Sequence, residues 1–149
     1  MTKAEKMTAL TAAVRTVFNR LKALGDDLHG DLEVTAAMRA VMETLAADGA
    51  MTVPQIARLK GVTRQHIQLL SDALIAAGLA AVKENPAHRR SSLIALTYKG
   101  RRTFAKMRAR EVPLVAELAD EFDAQELDRA ATVLTRLAAR LEARLKESA

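Results

Sequence analysis

The chain contains no cysteine and no tryptophan, and only 3% of its 149 residues are aromatic. Without cysteine it can form no disulfide, no thiolate metal site and no redox-sensing thiol. The scarcity of aromatic side chains argues against a sheet sandwich, because strands favour Tyr, Phe and Trp. Half of the residues are hydrophobic, mainly Ala, Leu, Val and Met, which favour helices packed through aliphatic side chains. We therefore expect a mainly helical chain.

Long apolar runs are also missing. No stretch approaches the roughly 20 apolar residues that a membrane-spanning helix needs, and the first residues carry acid as well as base, unlike a targeting segment. We expect an unprocessed, cytoplasmic protein with no membrane partner.

The sequence lacks catalytic and metal-binding motifs as well. Its three histidines stand in unrelated contexts, and no metal-ligand spacing or glycine-rich nucleotide loop occurs. We expect no enzyme activity, no metal and no cofactor.

Charge is unevenly distributed along a chain of net charge +5. Residues 83–110 contain nine Lys or Arg and a single acid, Glu84, whereas residues 111–128 contain seven Asp or Glu and no base. A basic segment followed by an acidic one would orient the molecule on a polyanion, although net charge alone does not demonstrate nucleic-acid binding.

Both ends of the chain carry apolar residues at helical spacing. From Met7 to Leu28 they recur at alternating steps of three and four, and Leu127, Leu134 and Leu141 repeat every seven residues. Such a seam is typical of a helix that packs against a partner helix. The sequence thus predicts long terminal helices with one apolar face each.

Residues 35–78 carry start and stop signals for three shorter helices. The caps and stops are Thr35 and Gly49, Thr52 and Gly61, and Thr63 and Gly78. We expect Ile56 and Leu59 to face inward in the middle helix, and Ile67 and Leu74 to do so in the next. Two helices joined by a short glycine-containing turn predict a helix-turn-helix.

A hairpin is predicted directly after these helices. Leu79–Glu84 and Ser92–Thr97 are short enough for strands, and residues 85–90 between them are rich in turn formers. Thr97 is then placed to cap a fifth helix, which Pro113 is expected to kink or interrupt.

A helix-turn-helix followed by a hairpin is a winged helix, whose second helix enters the major groove while the hairpin tip reaches the backbone or minor groove. Arg64 suits guanine and Gln65 suits adenine, whereas two adjacent arginines at a protruding tip suit phosphates. These side chains could also be a merely solvated face, but the preceding turn and the basic hairpin favour DNA. The predicted DNA-binding residues are Thr63, Arg64, Gln65, His66, Gln68, His88, Arg89 and Arg90.

The segments PQIARLKGVTRQHIQLLSDALIAAGL and NPAHRRSSLIALTYKG resemble the helix-turn-helix and wing of MarR-family regulators, over nearly the whole chain. The wing tip Asn-Pro-x-x-Arg-Arg and the segment from Leu96 to Gly100 are the most specific parts. The resemblance implies one domain, 1–149, with a winged-helix lobe (35–111) between dimerisation helices (1–30 and 112–149). The implied interface residues are Leu10, Val14, Val17, Leu21, Leu127, Leu134 and Leu141.

The chain departs from the family pattern at two places. His88 stands where relatives commonly have an acid that pairs with a wing arginine, here Arg90, and Leu69 and Ala73 stand where many relatives have Arg or Lys aimed at DNA. We therefore expect affinity to depend more on Arg64 and the wing.

The resemblance implies a sequence-specific transcription regulator, a repressor that binds a pseudo-palindromic operator as a homodimer and is released by a small aromatic or lipophilic effector. Met38 and Met42 are placed to line an effector crevice, although methionine at helical spacing is more often core. Two alternatives stay open: a winged-helix protein-interaction module and a ligand sensor, neither of which binds DNA.

Overall fold

The computed structural model describes residues 1–149 as six α-helices and one antiparallel hairpin. The elements are α1 (Lys3–Leu28), a short 3-10 helix (Gly30–Leu32), α2 (Ala36–Asp48), α3 (Val53–Lys60), α4 (Arg64–Ala76), β1 (Ala80–Lys83), β2 (Leu93–Leu96), α5 (Tyr98–Ala119) and α6 (Ala124–Ser148). The predicted mainly α, winged helix-turn-helix fold is confirmed. Tertiary contacts divide the chain into two compact units, Met1–Met107 and Arg108–Ala149. No helix combines the length and the apolar composition that crossing a bilayer would require.

Side-chain caps begin the helices, and those at Thr35 and Thr52 stand where the sequence predicts. Thr35 Oγ1 accepts a hydrogen bond from the amide of the third residue of α2. Thr52 and Gln55 form a reciprocal capping box, with distances of 3.2 and 2.9 Å, and Asp123 and Glu126 form another at the start of α6. Because these bonds satisfy amides that a helix leaves unpaired at its start, they fix where each helix begins.

The prediction that Leu59 faces inward is wrong. Its side chain is 62% exposed, whereas Ile56 and Ala57 are buried. Ile56 and Ala57 define the inward face of α3, and at about 100° per residue Leu59 lies roughly 110° around the helix from the centre of that face.

Helix α5 continues from Tyr98 to Ala119 through Pro113, so of the predicted kink or interruption the interruption is wrong. Proline removes the amide that would bond the carbonyl group four residues earlier. That carbonyl belongs to Ala109, which is exposed, so water can replace the missing donor. The helix therefore tolerates a proline at this solvent-facing place.

The hydrophobic core lies in the first unit, where α2, α3 and α4 pack with the hairpin and the first turns of α5. Its members are Val34, Met38, Val41, Met42, Leu45, Ile56, Ala57, Ile67, Leu74, Leu79, Ala80, Ile94, Leu96 and Met107. Met38 and Met42 are thus core residues, as the spacing favoured, and not the lining of a crevice. Burial of these aliphatic side chains is the main stabilising contribution.

The two long terminal helices leave most of their apolar side chains exposed. Neither α1, with 26 residues, nor α6, with 25, contains a buried side chain. In the first unit, α1 is joined to α2 by a hydrogen bond from the amide of Ala36 to Asp26 Oδ1 at 3.0 Å. In α6, a 2.7 Å hydrogen bond from Lys146 and its positive charge lower the pKa of Glu142.

Candidate nucleic-acid interface

Helix α4 has one buried face and one solvent-facing ridge. Ile67, Ser71 and Leu74 are buried against the first unit's core. Since successive residues are about 100° apart around a helix, the opposite side carries a row that we call the outer ridge. The outer ridge consists of Gln65, Leu69, Asp72 and Ala76, all exposed.

The start of α4 presents several exposed polar side chains. Thr63 Oγ1 accepts a hydrogen bond from the amide of His66 at 3.1 Å, which caps the helix and leaves the hydroxyl proton free to be donated. Arg64, Gln65 and His66 follow it and are exposed. The guanidinium group of Arg64 forms no ion pair within the chain. These groups can contact a ligand without breaking an existing bond.

Gln68 differs from its neighbours because its amide is already engaged. Its Nε2 donates a hydrogen bond to Asp72 Oδ1 at 2.9 Å, one turn further along α4. The Nε2 group carries a second proton, so Gln68 can still donate once, whereas the amide of Gln65 is wholly unengaged. Of the two glutamines, Gln65 is therefore the better placed to bond adenine in the bidentate way.

The end of α4 is attached to the residues that follow the hairpin. Gly78 takes a left-handed conformation, with φ of 74°, which ends the helix. The hydroxyl group of Thr97 donates a hydrogen bond to the Gly78 carbonyl at 2.6 Å, and Lys99 Nζ donates one to the Ala77 carbonyl at 2.9 Å. These bonds couple the direction of α4 to the hairpin and to the start of α5.

The wing is a short hairpin whose base is reinforced by a third segment. Strands β1 and β2 pair antiparallel, from Ala80 opposite Leu96 to Lys83 opposite Leu93. Met51 and Ile94 also exchange two backbone hydrogen bonds, of 3.0 and 2.7 Å. This bridge cannot be predicted from the sequence, because a single paired residue produces no alternation of apolar and polar side chains.

The wing tip, residues 85–90, is a compact turn with exposed cations. Asn85 Oδ1 accepts a hydrogen bond from the amide of Ala87 at 3.1 Å, and the Asn85 carbonyl accepts one from the amide of His88 at 3.2 Å. His88, Arg89 and Arg90 are exposed, and neither arginine forms an ion pair within the chain. With no acid at position 88, the turn is held by Asn85 and not by a charged pair.

A further cation, Arg58, lies beside the turn of the helix-turn-helix. A shallow groove of about 250 Å³ is lined by Pro54, Ala57, Arg58, Val62 and Arg64. Arg58 and Arg64 therefore line the same groove, although the sequence prediction included only Arg64. The signal was present, because basic residues in the last turn of α3 flank the glycine turn.

A second groove lies in the first unit, at the start of α5. Its volume is about 560 Å³, and its lining is Leu32, Tyr98, Lys99, Arg102, Thr103 and Lys106. The guanidinium carbon of Arg102 lies 5.7 Å from the centre of the Tyr98 ring. One exposed aromatic ring and three cations thus line an open groove. No group of three or more acidic or histidine side chains is placed to hold a metal ion.

The chain is similar to known proteins in sequence and in fold, although no family model matches it. An uncharacterized protein of Mycobacterium tuberculosis is 39% identical over 100 residues, which are 67% of this chain and 70% of that protein. A solved MarR family transcription regulator is 26% identical with a TM-score of 0.80, covering 99% of this chain and 97% of that one.

A mutant of Escherichia coli MarR, solved in complex with operator DNA, has the same fold. It is 19% identical with a TM-score of 0.79, and the match covers 92% of this chain and 99% of that one. The likeness to these solved regulators extends over the terminal helices as well as the helix-turn-helix and wing. The chain therefore has the winged-helix fold of the MarR family of transcription regulators.

Proposed function

We propose that this chain regulates transcription by binding a pseudo-palindromic operator as a homodimer, with α4 in the major groove and the wing tip beside it. The observation that carries the proposal is the set of exposed, uncommitted polar groups at the start of α4, above all Arg64 and Gln65. A helix that enters the major groove contacts bases with its first turns. The complex of the E. coli relative with operator DNA supports this assignment.

Each group at the start of α4 has a role that follows from its chemistry. Arg64 donates two parallel hydrogen bonds to guanine, and Gln65 bonds adenine. The free hydroxyl proton of Thr63 and the ring of His66 suit phosphate oxygens or base edges. Arg58, which shares a groove with Arg64, adds a phosphate contact outside the bases. Base contacts and phosphate contacts are thus adjacent on one surface.

The wing tip supplies charge more than sequence recognition. Arg89 and Arg90 are exposed and unpaired at a protruding turn, which suits insertion beside the phosphates or into the minor groove. The minor groove distinguishes base pairs poorly. We therefore assign affinity to the wing tip and sequence preference to α4.

The homodimer part of the proposal rests on the terminal helices. Helical stability in proteins comes mainly from packing of an apolar face, and both α1 and α6 leave most of their apolar side chains exposed. The exposed rows include Val14, Val17 and Leu21 in α1, and Leu127, Leu134 and Leu141 in α6. A second copy of the chain would cover them and present two α4 helices to half-sites about one turn of DNA apart.

We further propose repression by promoter occlusion, relieved by a small aromatic effector. The groove at the start of α5 supports the second part, because the ring of Tyr98 and the cations Lys99, Arg102 and Lys106 suit an aromatic acid. A ligand that binds one spacing of the two α4 helices better than another would shift the population away from the DNA-binding form. Thermal unfolding with a panel of aromatic acids tests it, since a ligand stabilises the state it binds.

Selection of bound sequences from random duplexes, followed by titration at several salt concentrations, tests the main proposal. The expected result is a palindromic consensus and an affinity that falls steeply with salt, because phosphate contacts release counterions. A protein-interaction module or a pure ligand sensor gives neither. Absence of both consensus and salt dependence would overturn the proposal.

A further inference from the structure

An apolar side chain occupies the middle of the outer ridge. Leu69 is 64% exposed and lies one turn after Gln65, on the side of α4 opposite the buried Ile67. Single exposed leucines are common on protein surfaces. The position of this one is informative, because Gln65 and Asp72 flank it on the same ridge, and the ridge is the part of α4 that would enter the groove most deeply.

The major groove offers a leucine only one apolar partner. Guanine, cytosine and adenine present hydrogen-bonding groups there, and thymine alone adds a methyl group at C5. A leucine against a polar base edge would remove water from that edge without replacing its hydrogen bonds, which is unfavourable. A leucine against a thymine methyl buries apolar surface on both sides. Leu69 therefore favours thymine, because apolar surface is buried on both sides. It disfavours the other bases, because their polar edges would lose water without gaining a hydrogen bond.

Gln65 and Leu69 form a matched pair for A·T base pairs. Side chains four residues apart on a helix lie about 5–6 Å from each other, so the two reach the same or neighbouring base pairs. Gln65 suits adenine, and the thymine opposite any adenine presents its methyl group in the same groove. The wing-tip cations Arg89 and Arg90 lie off the outer ridge, where phosphates would be met. This arrangement complements an A·T step in the floor of the groove.

We propose that Leu69 is a specificity-determining residue that packs against the C5 methyl group of thymine in each operator half-site. The inference rests on the proposed function, because it needs α4 in the major groove. To the proposed function it adds that one contact is apolar and that this contact selects thymine.

Deoxyuridine tests the contact, because it differs from thymidine only in lacking the methyl group. In a duplex obtained by selection, each thymine is replaced singly and the dissociation constant is measured by titration. At one symmetric pair of positions, wild type should bind about 4-fold more weakly for each methyl removed, the equivalent of about 0.8 kcal/mol for a buried carbon. The variant Leu69→Ala should bind both duplexes equally at those positions.

The control is Leu59→Ala, which removes a leucine of nearly the same exposure, 62%, from α3. It should keep the full sensitivity to deoxyuridine. Thermal unfolding of each variant checks that the fold is retained, as expected for side chains this exposed.

Three outcomes separate the two proposals. If wild type binds no duplex in preference to another, the proposed function fails and this inference with it. If wild type binds with a consensus and a salt slope but no thymine is sensitive to deoxyuridine, the inference alone is overturned. If Leu69→Ala keeps the wild-type sensitivity, another side chain contacts the methyl group and the assignment of Leu69 is wrong.

Discussion

Gly100 lies against the carbonyl oxygen of Leu79 so closely that a Cβ atom at position 100 would overlap it. The same carbonyl accepts a hydrogen bond from the amide of Thr97 at 3.0 Å, so Leu79 cannot move aside without losing that bond. The contact fixes the first turn of α5 beside the residue that links α4 to the wing. The position of the DNA-facing helix thus depends on a glycine outside it.

Gly100→Ala should destabilise the fold by about 1–3 kcal/mol, because the added methyl group meets backbone atoms that cannot shift. Urea unfolding followed by circular dichroism measures this. The matched control is Gly30→Ala, where a Cβ atom would meet nothing and stability should change by less than about 0.5 kcal/mol. Equal stability of the two variants would contradict the close contact.

Ser71→Ala should leave stability unchanged or raise it by up to about 1 kcal/mol. Ser71 is fully buried on the inner face of α4, and its hydroxyl group has no hydrogen-bond partner, which is an unfavourable arrangement that alanine removes. Thermal unfolding detects the change, with exposed Ser92→Ala as the control. A clear loss of stability would mean that the hydroxyl group is bonded in solution.

Arg64→Ala should weaken binding to the selected operator by roughly 1–3 kcal/mol, the value of one bidentate contact with guanine. Arg64→Lys keeps the charge but loses the planar fork, so it should restore the salt dependence without restoring the sequence preference. Fluorescence anisotropy with operator and scrambled duplexes distinguishes the two effects. If lysine restores both, Arg64 contacts phosphate and not a base.

Arg90→Ala should weaken binding to all duplexes similarly and lower the slope of affinity against salt by about one contact for each half-site. The control is Arg136→Ala, which removes one positive charge from an exposed position on α6, outside α4 and the wing. This variant should leave the slope unchanged. A slope that falls equally in both variants would reflect net charge and not a contact at the wing tip.

Leu134→Asp should convert a dimer into monomers, because it places a charge in the apolar row of α6 that we assign to the interface. The side chain is exposed within its own chain, so the fold of the monomer should persist. Sedimentation velocity over a range of concentrations measures the assembly. Leu59→Asp, a like change on α3, should remain dimeric; a monomeric wild-type chain at every concentration would contradict the assignment.

Local signals in the sequence determined where the elements begin and end. A capping box such as that of Thr52 and Gln55, or the turn made by Gly78, involves residues within a few positions of each other, so its pattern is visible in one dimension. Helical spacing likewise identified Ile67 and Leu74 as buried. The polar side chains at the start of α4 were identified in the same way. Once the buried positions of the helix are assigned, its remaining positions must face outward.

Only the tertiary structure decided what depends on neighbours distant in the chain. The exposure of Leu59, the bridge between Met51 and Ile94 and the fit of Gly100 are set by segments that meet only after folding. The hydrogen bond of Gln68 to Asp72, although local, is one of several rotamers that the sequence permits. Periodicity states which face of a helix is apolar, but how far the core covers that face depends on the helices and strands packed against it.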